Sequence, residues 1–88
     1  MYNLEIREHL YTLFKKLSKK NPKQLSIINK KIQQILKNPH RFKPLKFPMR
    51  NLRRVHVDKS FVLVFAIDES RKSVIIWDYD HHDRIYKK

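Results

Sequence analysis

Arg54 and His56 stand two residues apart in the alternating stretch Leu52–Val57, so in a strand they share one face, with Leu52, while Arg53, Val55 and Val57 take the other. A guanidinium pairs bidentately with a phosphate, and an imidazole moves a proton near neutral pH. Together they suit chemistry on a phosphodiester. A second concentration of such groups lies near the end of the chain, where Asp78-Tyr79-Asp80-His81-His82-Asp83-Arg84-Ile85-Tyr86 holds two histidines, three carboxylates, an arginine and two tyrosines. If a tail histidine is brought across to His56, two imidazoles flank one phosphate. RNA cleavage without a metal needs that arrangement: one group deprotonates the 2′-hydroxyl, another protonates the leaving 5′-oxygen, and a cation stabilises the phosphorane. A 2′,3′-cyclic phosphate is the expected product, and DNA is excluded as substrate. No metal site is expected, since neighbouring His81 and His82 point in different directions if the strand continues and no helical i, i+4 histidine pair completes a site.

The elements that must position these groups follow from the hydrophobic pattern. Tyr2–Ile6 alternates as a half-buried strand; Leu10, Leu13, Phe14 and Leu17 mark a helix over residues 7–20; Leu25, Ile28, Ile32 and Ile35 mark a second, entered at Asn21-Pro22 and stopped at Asn38-Pro39. The short junction makes them an antiparallel hairpin. Pro39–Pro48 reads as an extended basic loop. Leu52–Val57, Phe61–Ile67 and Val74–Tyr79 then form a three-stranded antiparallel meander, turning at Asp58-Lys59-Ser60 and Asp68–Lys72, with Phe61–Ile67 apolar on both faces and therefore inside the sheet. Residues 80–88 are too short and polar for a further layer, and Trp77, at strand spacing, is expected in the core. The result is one α+β domain over residues 1–88, in the order β-α-α-β-β-β.

Composition narrows the field. Eighty-eight residues build one core. Glycine and cysteine are both absent, which removes the P-loop, the dinucleotide fingerprint, the glycine-flanked serine elbow, disulfides and thiolate zinc sites. No signal peptide is expected, because residues 1–10 carry Glu5, Arg7, Glu8 and His9, and the longest apolar run, Phe61–Ile67, is far short of a membrane span. A cytoplasmic location is the default. The formal net charge is +13, and all of the excess lies in residues 1–57, which hold 15 basic and 2 acidic side chains against 6 and 6 in residues 58–88. Such a surface calls for a polyanionic partner, a nucleic acid or an acidic protein.

The stretch from Arg53-Arg54-Val55-His56-Val57-Asp58-Lys59-Ser60 through Phe61–Phe65, the helix ending Leu36-Lys37-Asn38-Pro39 and the closing Asp80-His81-His82-Asp83-Arg84-Ile85-Tyr86 resemble the RelE/ParE superfamily of toxins from type II toxin-antitoxin systems, most closely the RelE and YafQ mRNA interferases. The resemblance covers essentially the whole chain. It implies an endoribonuclease toxin that cuts mRNA in the ribosomal A site, needs no cofactor, and is held inactive by an acidic, RelB-like antitoxin. It also assigns roles. His56 and His82 are the acid-base pair, Arg54 holds the scissile phosphate and Tyr86 shapes the site; apart from the resemblance, Lys43, Lys46, Arg50, Arg53 and Lys59 are expected to hold RNA by their charge. In the family a glycine often stands in the strand 2–3 turn and before the closing motif, where this chain has Lys59 and Asp80. Two alternatives stay open: a ParE-like toxin that inhibits gyrase without cutting RNA, and a plain RNA-binding module. The histidines favour the nuclease.

Overall fold

The computed structural model describes residues 1–46 and 51–87. Its elements are β1 (Asn3–Ile6), α1 (Glu8–Lys20), α2 (Pro22–Lys37), β2 (Leu52–Val57), β3 (Phe61–Asp68), β4 (Ser73–His81) and α3 (His82–Lys87), with one 3₁₀ turn at Pro39–Arg41. The four strands make a single sheet in the order β1-β4-β3-β2. β1 runs parallel to β4, and β2, β3 and β4 form the antiparallel meander. Because the helix hairpin carries the chain from one edge of the sheet to the other, the meander returns to close against β1.

A single residue, Asn21, makes the hairpin turn. Its backbone N–H donates to the carbonyl of Leu17, ending α1, and its side chain accepts from the backbone N–H of Gln24, opening α2 just ahead of Pro22. The apolar stripes of both helices then lie on one face of the sheet. Leu10, Ile28, Ile32 and Ile35 pack with Val55, Val57, Leu63, Phe65, Val74 and Ile76 in the main core. Each fully buried side chain of this size contributes about 1.5–3 kcal/mol, so this face supplies most of the stability.

The other face departs from expectation. The last residues, read as too short and polar for a layer, form α3, and its one aliphatic side chain, Ile85, is buried with Leu45, Leu52, Val62 and Val64 in a second, smaller cluster. A lone isoleucine in a polar tail is too little periodicity to reveal a helix; tertiary burial decides the matter. The basic loop is likewise docked along β2. The Leu45 N–H donates to the Leu52 carbonyl at 2.8 Å, the Arg54 N–H to the Lys43 carbonyl at 3.2 Å, and Pro44 bridges to Arg53.

Trp77 is the second correction. Opposite Val64 and Phe65 the β3–β4 register slips, leaving Trp77 as the extra residue of a bulge, partly exposed, with the Arg7 guanidinium 4.3 Å above its ring. The expectation of a core position fails because Val74 and Ile76 face the helices, which leaves Trp77 off that face. With no glycine available, two other residues take positive φ among the described residues: Asp58 at 57° in the β2–β3 turn and Lys72 at 48° before β4. The turn uses Asp58, a residue type that tolerates this region, rather than Lys59.

Candidate active site

β2 pairs with β3 as its one strand neighbour among the described residues, and its alternation divides its side chains between the faces. Val55 and Val57 go under the helices, and Arg54 and His56 go to the face that carries α3. Arg54 lies opposite Val64 and His56 opposite Val62, so both stand beside the small apolar cluster rather than in it. α3 crosses this face by burying Ile85, which carries Tyr86 to within 5.9 Å of the Arg54 guanidinium, measured to the ring centroid. The docked loop closes the remaining side. A cavity of about 490 Å³ results, lined by Lys43, Pro44, Leu45, Lys46, Arg54, His56 and Tyr86.

Five residues singled out from the sequence therefore meet in one place: Lys43, Lys46, Arg54, His56 and Tyr86. His56 and Tyr86 are exposed and Arg54 is half-buried, so the imidazole, the phenol and the guanidinium all face a ligand from solvent. Three cations around one imidazole suit a bound phosphodiester, and the guanidinium edge offers it paired donors. Pro44 and Leu45 add an apolar floor.

The other assignments distribute differently. His82 does not line the cavity. It opens α3, its backbone N–H donating to the Ser60 carbonyl at 2.8 Å and its Nδ1 lying 2.9 Å from Asp83 Oδ1. One helical turn separates it from Tyr86, so the two share a face of α3 with Cβ atoms about 5–6 Å apart. Arg53 is not part of this surface. Its guanidinium donates to the carbonyls of Phe42 at 2.6 Å and His40 at 3.3 Å, on the face where its strand neighbour is Phe65, and it fastens the loop. The structure gives Arg53 the position of a strut between β2 and the loop, because alternation puts Arg53 and Arg54 on opposite faces. Lys59 is exposed in the β2–β3 turn, away from the cavity lining, and Arg50 lies outside the described residues.

Two features escaped sequence reasoning. Leu45 and Ile85, the apolar support under the cavity, come from a loop and a tail that show no periodicity. At the opposite end of the sheet, Glu69 accepts hydrogen bonds from Tyr2, Lys72 and His40. These bonds, that from Tyr2 foremost, hold its carboxyl well below the usual range, at about 2. Through His40 this hub anchors the start of the loop whose later residues, Lys43–Lys46, wall the cavity. No long-range signal in a single sequence pairs residue 40 with residue 69.

The four-stranded sheet with its helix hairpin on one face and a cationic cavity on the other defines a class, that of the small toxins of type II toxin-antitoxin systems. The sequence family described as the ParE toxin of the type II toxin-antitoxin system parDE matches residues 2–86, and the chain belongs to it, within the RelE/ParE superfamily. An uncharacterized protein of Methanosarcina mazei is 62% identical over 86 residues, covering 98% of this chain and all of that one. A Methanocaldococcus jannaschii protein named as a candidate RelE4 toxin is 52% identical over 88 residues, covering 100% of this chain and 94% of its own. Among solved structures, a chain of the intact E. coli RelBE toxin-antitoxin complex superposes with a TM-score of 0.76 at 18% identity, covering 92% of this chain and 96% of that one. The chain is thus a RelE/ParE-superfamily toxin with the RelE-like fold.

Proposed function

We propose that this toxin is a metal-independent endoribonuclease that cleaves mRNA, in the ribosomal A site, by attack of the 2′-hydroxyl on the adjacent phosphorus, leaving a 2′,3′-cyclic phosphate. The observation that carries the reading is the cavity in which Arg54, His56 and Tyr86 meet Lys43 and Lys46. Arg54 holds the scissile phosphate and stabilises the charge that builds on it. His56 and His82 exchange the two protons, one imidazole accepting from the 2′-hydroxyl and the other donating to the 5′-oxygen. Tyr86, on α3, orients the nucleotide. The lysines of α1 and α2 extend the positive surface and take up the rest of the RNA or, in the resting state, an acidic antitoxin. Support for such a partner comes from the E. coli relative, which is found in complex with its antitoxin.

Inhibition of gyrase without RNA cleavage is the second reading, favoured by the ParE description of the matching family. The two are separated by incubating purified toxin with programmed mRNA in EDTA, with and without ribosomes, and mapping the ends. Cleavage leaving a cyclic phosphate, stronger on ribosomes, is expected. Intact RNA in both conditions, together with a block of gyrase supercoiling, overturns the nuclease.

A further inference from the structure

We propose that His81, His82 and Asp83 bind a divalent transition-metal ion of the zinc type, and that its binding switches RNA cleavage off by sequestering His82; the switching half rests on the function proposed above. The expectation of no metal site assumed that the strand continues through both histidines and points them apart. It does not continue: β4 ends at His81 and α3 begins at His82, and this change of backbone direction brings the two rings to 4.7 Å between centroids, tilted by only 30°.

Asp83 completes the set. Its Oδ1 is 2.9 Å from His82 Nδ1 and its Oδ2 is 3.7 Å from His81 Nδ1, and one donor atom from each residue falls within a 4.8 Å group. Zinc with donors at about 2.0–2.2 Å in tetrahedral geometry requires donor atoms about 3.3–3.5 Å apart, so small side-chain rotations suffice. Two imidazoles and a carboxylate select zinc, nickel or copper over magnesium or calcium, and a fourth position stays open to water. Among the described residues no other group of three His, Asp or Glu side chains comes together in this way.

His81 is held in place, edge-on to Phe61 at 5.8 Å, so one imidazole of the set is positioned before a metal arrives; a metal on its Nδ1 replaces the 3.3 Å hydrogen bond that this nitrogen accepts from the backbone N–H of Asp83.

The test uses the full chain and the His81→Asn variant, which removes one imidazole but keeps a side-chain acceptor for the first turn of α3. Zinc chloride titrated into each protein by calorimetry should bind the unsubstituted toxin at one ion per chain, bind H81N at least about tenfold more weakly, and be matched by no heat from magnesium chloride. In the RNA assay, stoichiometric zinc should stop cleavage by the unsubstituted toxin, EDTA should restore it, and H81N should keep cutting at that zinc concentration. Equal zinc affinity in the two proteins, or none in either, overturns the site. Tight binding with undiminished cleavage overturns the switch. If neither protein cuts RNA even in EDTA, the nuclease reading fails, and calorimetry still decides the metal site.

Discussion

On the face beneath α1 and α2, β2 contributes Val55 and Val57, β3 contributes Leu63 and Phe65, and two full helices cover them. On the opposite face the same two strands contribute Arg54 and His56 beside Val62 and Val64, covered by one short helix and part of a loop. The strands are shared, so the difference comes from what each face is given to bury. The first holds a continuous apolar interior, whereas the second holds a small patch in which Leu52, Val62 and Val64 seat Ile85 and Leu45 and the cations are left at its margin. Stability is concentrated on one face and the candidate site lies on the other, which lets the polar face carry unneutralised charge without unfolding the domain.

The comparison breaks first where the main core is cut. Phe65 is fully buried beneath the helices and meets Phe42 edge-on at 5.8 Å, so Phe65→Ala should cost about 3–5 kcal/mol in urea unfolding. Ile85→Ala, in the smaller cluster, should cost less, about 2 kcal/mol. Equal costs would mean that the two faces share the load.

The inverse pattern is expected for chemistry. His56 is exposed, and His56→Ala should leave the unfolding midpoint within about 0.5 kcal/mol of the parent while lowering RNA cleavage by about 10²-fold or more. That loss corresponds to about 2.7 kcal/mol of transition-state stabilisation. A variant that cleaves normally removes His56 from the mechanism.

Tyr79 tests whether the helix face is as apolar as it is drawn. Its ring is stacked on Phe61 at 5.4 Å between centroids and edge-on to Phe14, yet its hydroxyl is buried with no hydrogen-bond partner among the described residues. Burial, aided by the Asp58 charge, pushes the phenol up to about 12. Tyr79→Phe keeps both ring contacts and deletes the unpaired group, so a gain of about 1 kcal/mol is expected in the same urea titration. A loss would reveal a partner for the hydroxyl.

The helix face was legible in the sequence because periodicity records burial: Leu10–Leu17, Leu25–Ile35 and the β-branched run Phe61–Ile67 each mark a stripe or a strand, and β-α-α-β-β-β followed from their order. The alternation of Leu52–Val57 likewise set Arg54 and His56 apart from the core. What stayed hidden depends on contacts distant in sequence. Ile85 becomes part of a core only because Val62 and Val64 lie beneath it, and Trp77 is the extra residue of a bulge that the β3–β4 register sets and no pattern within residues 74–79 reveals. The pairing of β1 with β4 is another such case, since a four-residue strand says nothing of its neighbour. Arg53 and Arg54 show the boundary most closely: adjacent and alike in sequence, they are separated in role by the face on which each lands.

The smallest expected effect concerns the hub at the far end of the sheet. Glu69 is exposed, so its hydrogen bonds to Tyr2, Lys72 and His40 compete with water and each is weak. The sign of their contribution is nevertheless fixed. The carboxyl titrates at about 2 in the folded protein against an ordinary value of 4.5, so the folded state prefers the ionised form. The resulting stability is fully present above about pH 4.5 and disappears as the pH falls through about 2. Thermal unfolding of the toxin and of Glu69→Gln across that window should show a modest gap at pH 5 that closes toward pH 2, whereas the Ile85→Ala gap persists throughout. A Glu69→Gln gap unchanged with pH would place the hub's contribution in shape rather than charge. The loop that walls the cavity would then owe its anchoring to Arg53, through the carbonyls of His40 and Phe42, and to its backbone hydrogen bonds with β2.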